Sequence, residues 1–160
     1  MQDFIDWLYA TPLSQTIKAT FGIIPTVQTI HILCVAVLFT SMVMLGARLL
    51  GVAGRRHSID SFASRFLPWM WWPLPVMLLT GAILVIAEPH RDLQNTAFYL
   101  KMSLLITVCA ITLYFQRVSK RSPGAWESSP GRRTLARLIG LTSILLWTSI
   151  VVCGRMIAYV

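Results

Sequence analysis

The sequence predicts an all-α integral membrane protein, a four-helix bundle preceded by an N-terminal interfacial amphipathic helix. Three observations support this fold class: 56% of the 160 residues are hydrophobic, only 12% are charged, and the apolar residues fall into four long runs. A run of about 18 or more mostly apolar residues is long enough to cross a bilayer as a helix. We therefore expect one membrane domain over residues 1–160, with the lipid bilayer as its surroundings.

Four spans and one interfacial segment are expected in chain order. Residues 2–20 are too polar to span, but Phe4, Trp7 and Leu8 share one helical face, which is typical of a helix lying in the membrane interface. Thr11 and Pro12 have the pattern of an N-cap followed by proline at the first helical position. The spans are predicted over residues 23–46, 67–87, 97–115 and 138–158, with loops over 47–66 and 116–137.

The second span opens with the segment PWMWWPLP, which predicts an aromatic belt at one interface and an irregular or kinked first turn. Further along, Thr80 and Gly81 offer a small step at which a neighbouring helix can approach closely.

The basic residues indicate the orientation of the chain. Of its 14 lysines and arginines, ten lie in the loops 47–66 and 116–137. Loops rich in Lys and Arg stay in the cytoplasm, so both termini are expected to be extracytoplasmic in a multi-pass protein of the bacterial inner membrane. The net charge of +8 has the same explanation, because no basic patch is interleaved with aromatic residues and nucleic acid is therefore not an expected partner.

Signatures of soluble enzymes are absent from the sequence: it has no HExxH, GxSxG, Walker or GxGxxG motif. The three cysteines lie within spans and have no CxxC spacing, so neither a disulfide framework nor a thiolate zinc site is expected. Whether the protein is an enzyme stays open at this point, and a redox or accessory subunit is favoured over a stand-alone enzyme.

Ionisable residues within the spans are the candidate functional groups. His31, Lys101 and Arg155 all fall in the extracytoplasmic half, on three different spans. A charge buried there costs about 2 to 3 kcal/mol even on the lenient insertion scale, so such groups are expected to face the bundle, a partner or a ligand. Each also has an ordinary interpretation: the cations can extend to the interface, and the histidine can be a neutral packing residue bonded to Gln28, Thr29 or a carbonyl of another helix.

Three chemistries fit this pattern. In the first, a b-type haem or a quinone binds near the outer face, with His31, Lys101, Arg155, His90 and Gln28 as its contacts and His31 and His90 as ligands of a haem iron. In the second, His31, Cys34, Met102 and Met156 handle copper(I), which prefers soft ligands. In the third, no cofactor is bound, and the protein is a membrane anchor or assembly subunit.

Several short motifs resemble those of known membrane proteins. Pro25 and His31 in the first span, ARLLG over 47–51, the TG pair at 80–81 and NTAFYLK over 95–101 are similar to an uncharacterised family of small bacterial four-helix inner-membrane proteins. More distantly, the helix count, the TG step and the aromatic residue three positions before Lys101 resemble copper-resistance D-type proteins and the small bacterial protoporphyrinogen oxidase. That resemblance implies a haem, porphyrin or copper context for His31 and Lys101.

The function expected from these observations is a small electron-transfer-type subunit that binds haem b or a quinone near the extracytoplasmic face. An extracytoplasmic redox partner and a homo-oligomer are its expected interactions. The alternatives are a non-catalytic anchor or assembly subunit and a copper-handling membrane protein.

Overall fold

The computed structural model describes residues 2–157 and confirms the all-α fold class, because these residues form eight helices and no strand. In chain order the helices are α1 (Gln2–Ala10), α2 (Pro12–Ala19), α3 (Ile23–Leu50), α4 (Ile59–Trp71), α5 (Pro73–Ala87), α6 (Pro89–Leu93), α7 (Thr96–Arg121) and α8 (Pro130–Met156).

Four helical stretches are long and apolar enough to cross a membrane, which indicates a multi-pass membrane protein. They are Ile23–Leu50, Ile59–Ala87, Thr96–Arg121 and Pro130–Met156. The helices extend further toward the arginine-rich loops than the apolar runs do, and the last residue of the predicted span 138–158 lies outside the described residues. The connection expected over 47–66 therefore narrows to residues 51–58, because Ser58 caps α4 by accepting a hydrogen bond from the amide of Ser61 at 3.2 Å.

The second stretch consists of two helices joined at Trp72. Pro68 lies inside α4 and Pro73 begins α5, and each proline removes an amide donor from the helical ladder. Trp69 and Trp72 are 63% and 80% exposed, whereas Trp71 turns toward α7 and donates its indole N–H to Gln116 at 3.0 Å. The irregular segment predicted from PWMWWPLP is therefore a break within this helical stretch.

The central helix of the bundle is α3, which packs on α4, α5 and α8, while α8 also packs on α7. Gly46 and Gly140 bring α3 and α8 together: a Cβ on Gly46 would lie 2.6 Å from Cδ1 of Ile144, and one on Gly140 would lie 2.8 Å from Cβ of Leu49. Only glycine permits this approach. The buried core around it includes Leu38, Met42, Val108, Phe115 and Trp147.

The two ends of the bundle are packed differently. We call the end that carries Arg48, Arg133 and Arg137 the basic end, and the opposite end, where α3 and α7 begin, the histidine end. Helix α4 contacts α7, but across the described residues no Cα atom of α5 comes within 8 Å of a Cα atom of α7. Helices α5 and α7 therefore remain apart along the half of the bundle that leads to the histidine end.

Short helices cover the histidine end. Helices α1 and α2 pack on α5, and α1 also packs on α6. Ile5 and Ile17 are buried in these contacts, whereas Phe4 and Trp7 are 55% and 62% exposed. Thr11 accepts a hydrogen bond from the amide of Ser14 at 3.3 Å, so the predicted N-cap is confirmed. The N-terminal segment is amphipathic, with one face on the bundle and aromatic residues on the other.

Candidate functional site

His31 is seated on the Thr80–Gly81 step of α5. Its Nδ1 atom lies 2.9 Å from the Thr80 hydroxyl oxygen. A Cβ added to Gly81 would lie only 3.3 Å from Cε1 of the imidazole, so the glycine leaves room for the ring to lie against the helix. The TG pair, predicted as a close-packing step, is therefore the seat of the histidine. The side-chain partners considered from the sequence, Gln28 and Thr29, are wrong, because both are exposed and Thr29 bonds to the Pro25 carbonyl.

The hydrogen bonds of Thr80 determine which nitrogen of His31 carries a proton. The Thr80 hydroxyl donates its single proton to main-chain carbonyls of its own helix, those of Val76 at 2.8 Å and Met77 at 3.0 Å. Its oxygen can then only accept from the imidazole, so Nδ1 of His31 is protonated. In the neutral ring Nε2 then carries a lone pair, and no hydrogen bond to Nε2 occurs within the described residues.

Lys101 contributes a cation from the opposite side of the gap between α5 and α7. It is half-buried, and its Nζ atom lies 3.6 Å from the position that a Cβ on Gly154 of α8 would occupy. The ammonium interacts electrostatically with Asp92, Cys153 and His31. Over residues 2–157 it makes no hydrogen bond and no ion pair with a carboxylate. Its three N–H donors are therefore available to a ligand.

Asp92 is a buried carboxylate at the histidine end, in α6, and only 7% of the residue is exposed. Burial raises the pKa of this carboxyl, while the charges of Arg91 and Lys101 act in the opposite direction. Arg91 lies 3.5 Å from Oδ1 of Asp92 and also pairs with Glu88. The order Asp92, Lys101, His31 and Thr80 thus leads from the end of the bundle into its interior.

His90 is held away from His31 by the covering helices. Its Nε2 lies 3.4 Å from a carboxylate oxygen of Asp6, its Nδ1 lies 3.3 Å from Nε2 of Gln94, and its ring packs edge-on against Tyr9 with centroids 5.1 Å apart. Both nitrogens are therefore engaged with groups other than His31. Gln28, also predicted at the site, lies on an exposed face of α3.

The remaining predicted residues fall into two groups. Arg155 is exposed and follows Gly154, the residue that Lys101 contacts, so their backbones meet at the same level of the bundle. Of the copper candidates, Cys34 and Met102 are half-buried and Met156 is 51% exposed. In residues 2–157 no group of three or more His, Cys, Asp or Glu side chains is arranged to hold a metal ion.

Sequence reasoning missed three members of the site: Thr80 as the partner of His31, Gly81 as its seat, and Asp92. The TG step was a usable signal for the first two, since a hydroxyl followed by glycine marks a place where a polar ring from another helix can be received. No sequence signal distinguished Asp92 from the other charged residues of the connection that precedes α7.

A comparison with protein families gives one match over nearly the whole chain. Residues 4–160 match the model of a family of unknown function, DUF6644, and the chain belongs to that family. No curated protein and no solved structure matches it.

Proposed function

We propose that this member of the DUF6644 family is an inner-membrane electron-transfer-type subunit that binds a quinone near the extracytoplasmic face, with both termini on that side. The observation that carries the proposal is the pairing of His31, whose Nε2 is available, with the half-buried Lys101 ammonium, which has no direct acceptor in residues 2–157. A cation half-buried in a membrane bundle without such an acceptor is poorly stabilised by the chain itself.

The two groups match the two forms of a quinone head group. The Lys101 ammonium donates to a carbonyl oxygen, and Nε2 of neutral His31 accepts the proton of a ring hydroxyl. The Thr80 contact at 2.9 Å keeps the imidazole in the tautomer that this acceptance requires. A bound quinone would supply the two-electron redox chemistry, while His31 would hold the proton and Lys101 the negative charge.

Asp92 adds a second proton-holding group at the end of the bundle. Because burial raises its carboxyl pKa, Asp92 retains a proton at a higher pH than an exposed aspartate does. Lys101 interacts electrostatically with both Asp92 and His31. These residues would therefore carry protons between the water at the membrane surface and the imidazole.

Haem b is the second candidate, and the His31–Thr80 hydrogen bond favours it. Histidines that ligate a metal through one nitrogen donate the other N–H to an acceptor, which is the arrangement of Nδ1 and Thr80 here. The residues fit one axial ligand. His90 would become the second only by leaving Asp6 and Gln94, so the predicted pair His31 and His90 requires the covering helices to move.

The test uses the full-length protein purified in detergent, extracted with organic solvent for quinones and titrated with a short-chain quinone while tryptophan fluorescence is followed. His31→Gln should abolish quinone retention and weaken binding at least tenfold. His57→Gln is the matched control, because that histidine is exposed at the basic end and should leave binding unchanged.

Absorption spectra before and after dithionite, with and without added haem, test the second candidate on the same samples. A Soret band that His31→Gln removes would assign haem b to the site. The electron-transfer proposal is wrong if the wild-type protein retains no quinone, binds none on titration and takes up no haem. Bound copper that depends on Cys34 would instead support the copper alternative, and the absence of all three would favour an anchor or assembly subunit.

A further inference from the structure

A strongly basic cavity lies at the opposite end of the molecule from His31. It has a volume of about 430 Å³ and lies where the end of α3 and the first turns of α8 meet the connections 51–58 and 122–129. Its polar lining consists of Arg48, Arg55, Arg133, Arg137 and Glu127. Four guanidinium groups facing one carboxylate leave a net charge of +3 around this space.

The single carboxylate is already committed to one arginine. Oε1 of Glu127 accepts a hydrogen bond from Arg48 at 2.8 Å and lies 3.4 Å from the amide of Ile59. Arg48 also donates to the carbonyl of His57 at 2.9 and 2.6 Å, so this buried arginine is satisfied by the chain. Arg48 and Glu127 therefore form the floor of the cavity and neutralise each other.

The other three arginines have no carboxylate partner over residues 2–157. Arg55 donates to the carbonyl of Gly51, and Arg133 donates to the main-chain carbonyl of Glu127 at 3.1 and 3.2 Å. Arg137 makes no hydrogen bond or ion pair in that part of the chain. Three guanidinium groups around one cavity, none of them neutralised, have the charge and donor geometry that recognise a phosphate group.

We propose that this cavity binds a phosphate anion, and that the anion is the head group of an acidic phospholipid. The neighbouring surface favours the lipid over a soluble phosphate. Arg137, Leu141 and Leu145 lie one turn apart along α8, and the two leucines are 45% and 58% exposed. A head group held by Arg137 thus places acyl chains along an apolar helix surface that leads into the bilayer.

A second feature of α8 fits the same occupant. An apolar groove of about 450 Å³ runs between α7 and α8 at the level of Arg137, and Leu135, Leu138 and Tyr114 are among the residues that line it. Basic pockets between membrane-spanning helices on the cytoplasmic side are known sites for acidic lipid head groups. The inference is independent of the quinone or haem proposal, because it concerns the other end of the bundle.

The experiment measures lipid binding to the delipidated full-length protein in detergent by native mass spectrometry. The probes are phosphatidylglycerol, phosphatidylcholine and inorganic phosphate. The cavity variant is Arg133→Gln with Arg137→Gln, and the matched control is Arg117→Gln with Arg121→Gln, which removes two exposed charges of α7 at the same end but outside the cavity. Removing two lipid-contacting arginines should weaken phosphatidylglycerol binding by about thirtyfold.

Preferential binding of phosphatidylglycerol over phosphatidylcholine, lost in the cavity variant and kept in the control, supports the lipid site. Binding of inorganic phosphate alone with the same dependence on the variants supports the phosphate site and assigns a soluble source. Equal loss in both variants, or no loss in the cavity variant, overturns the proposal. Arg137→Gln alone guards against misfolding, because Arg137 makes no internal bond in residues 2–157, and should still weaken binding by about fivefold.

Discussion

The two ends of the bundle treat a buried cation in opposite ways. At the basic end, the side chain of Arg48 is 10% exposed and is fully engaged by the His57 carbonyl and the Glu127 carboxylate. At the histidine end, Lys101 is half-buried and, within residues 2–157, interacts with Asp92 only through the longer-range electrostatic field. The first charge holds two loops together, whereas the second keeps its hydrogen-bonding capacity for something outside the chain.

This difference separates structural charges from functional ones. A buried cation whose acceptors belong to its own chain stabilises the fold, and losing one partner leaves the other uncompensated. A cation placed in the low-dielectric interior without an acceptor costs folding free energy, and a ligand that supplies the acceptor recovers that cost. The following predictions test whether the two ends differ in this way.

The largest effect is expected for Arg48→Met. The substitution leaves Glu127 without its partner and the His57 carbonyl without its donor, so the free energy of unfolding should fall by about 3 kcal/mol. Equilibrium unfolding in mixed detergent and denaturant micelles measures it. Arg117→Met, an exposed arginine at the same end, should change it by no more than about 0.5 kcal/mol. A similar small change in both variants would contradict a structural role for Arg48.

Lys101→Met should show the reverse pattern. Without a direct acceptor to leave behind, the variant should unfold at the same free energy as the wild type or up to about 1 kcal/mol above it. Its affinity for the short-chain quinone should fall at least tenfold, because a charged hydrogen bond to the ligand contributes about 1.5 to 3 kcal/mol. Lys120→Met, an exposed lysine at the basic end, is the control for both measurements. Strong destabilisation by Lys101→Met would show that the lysine is a structural charge like Arg48.

Thr80→Val tests the seat of the histidine with an isosteric change. The variant loses the acceptor for Nδ1–H of His31, which should lower the free energy of unfolding by about 1 kcal/mol. The imidazole should then populate both tautomers, a change that nitrogen NMR of labelled histidine detects, and quinone binding should weaken. Thr80→Ser keeps the hydroxyl and should restore both the tautomer and the binding. A single unchanged tautomer in Thr80→Val would rule out Thr80 as the group that orients the ring.

The smallest effect concerns Asp92 and pH. Because its carboxyl pKa is raised in the folded protein, the native state binds more protons than the unfolded chain between the ordinary pKa and the raised one. Stability contributed by this group should therefore fall as the pH rises through that interval and level off above it. Asp92→Asn should remove this part of the pH dependence, measured as the unfolding temperature across the acidic range. Glu127→Gln at the basic end should not reproduce the flattening.

The sequence predicted most of the fold and only part of the site. Long apolar runs identified the four spans, the polar and aromatic pattern of residues 2–20 identified the covering helices, and Thr11 with Pro12 marked where α2 begins. These are local properties, so they are readable along the chain. The break at Trp72 was foreseen only as an irregular segment, since proline removes donors but neighbouring helices decide where the chain bends.

The contacts of His31 show where sequence reasoning ends. That histidine was the first candidate because an ionisable residue in an apolar run is costly wherever it lies. Its partner, Thr80, is 49 residues away on another helix, and His90, its predicted companion, is bound instead to the N-terminal helix. Such pairings depend on how each helix is rotated about its axis.

By itself, the sequence determined which segments form membrane-length helices and which charged residues flank them, because apolar length and backbone hydrogen bonding leave few alternatives in a bilayer. Only the tertiary structure decided that α3 and α8 meet at Gly46 and Gly140, that α5 and α7 stay apart, and that His31 and Lys101 lie on the two sides of that separation. The reason is physical: hydropathy specifies that a helix enters the membrane, whereas its rotation and neighbours follow from side-chain packing between helices.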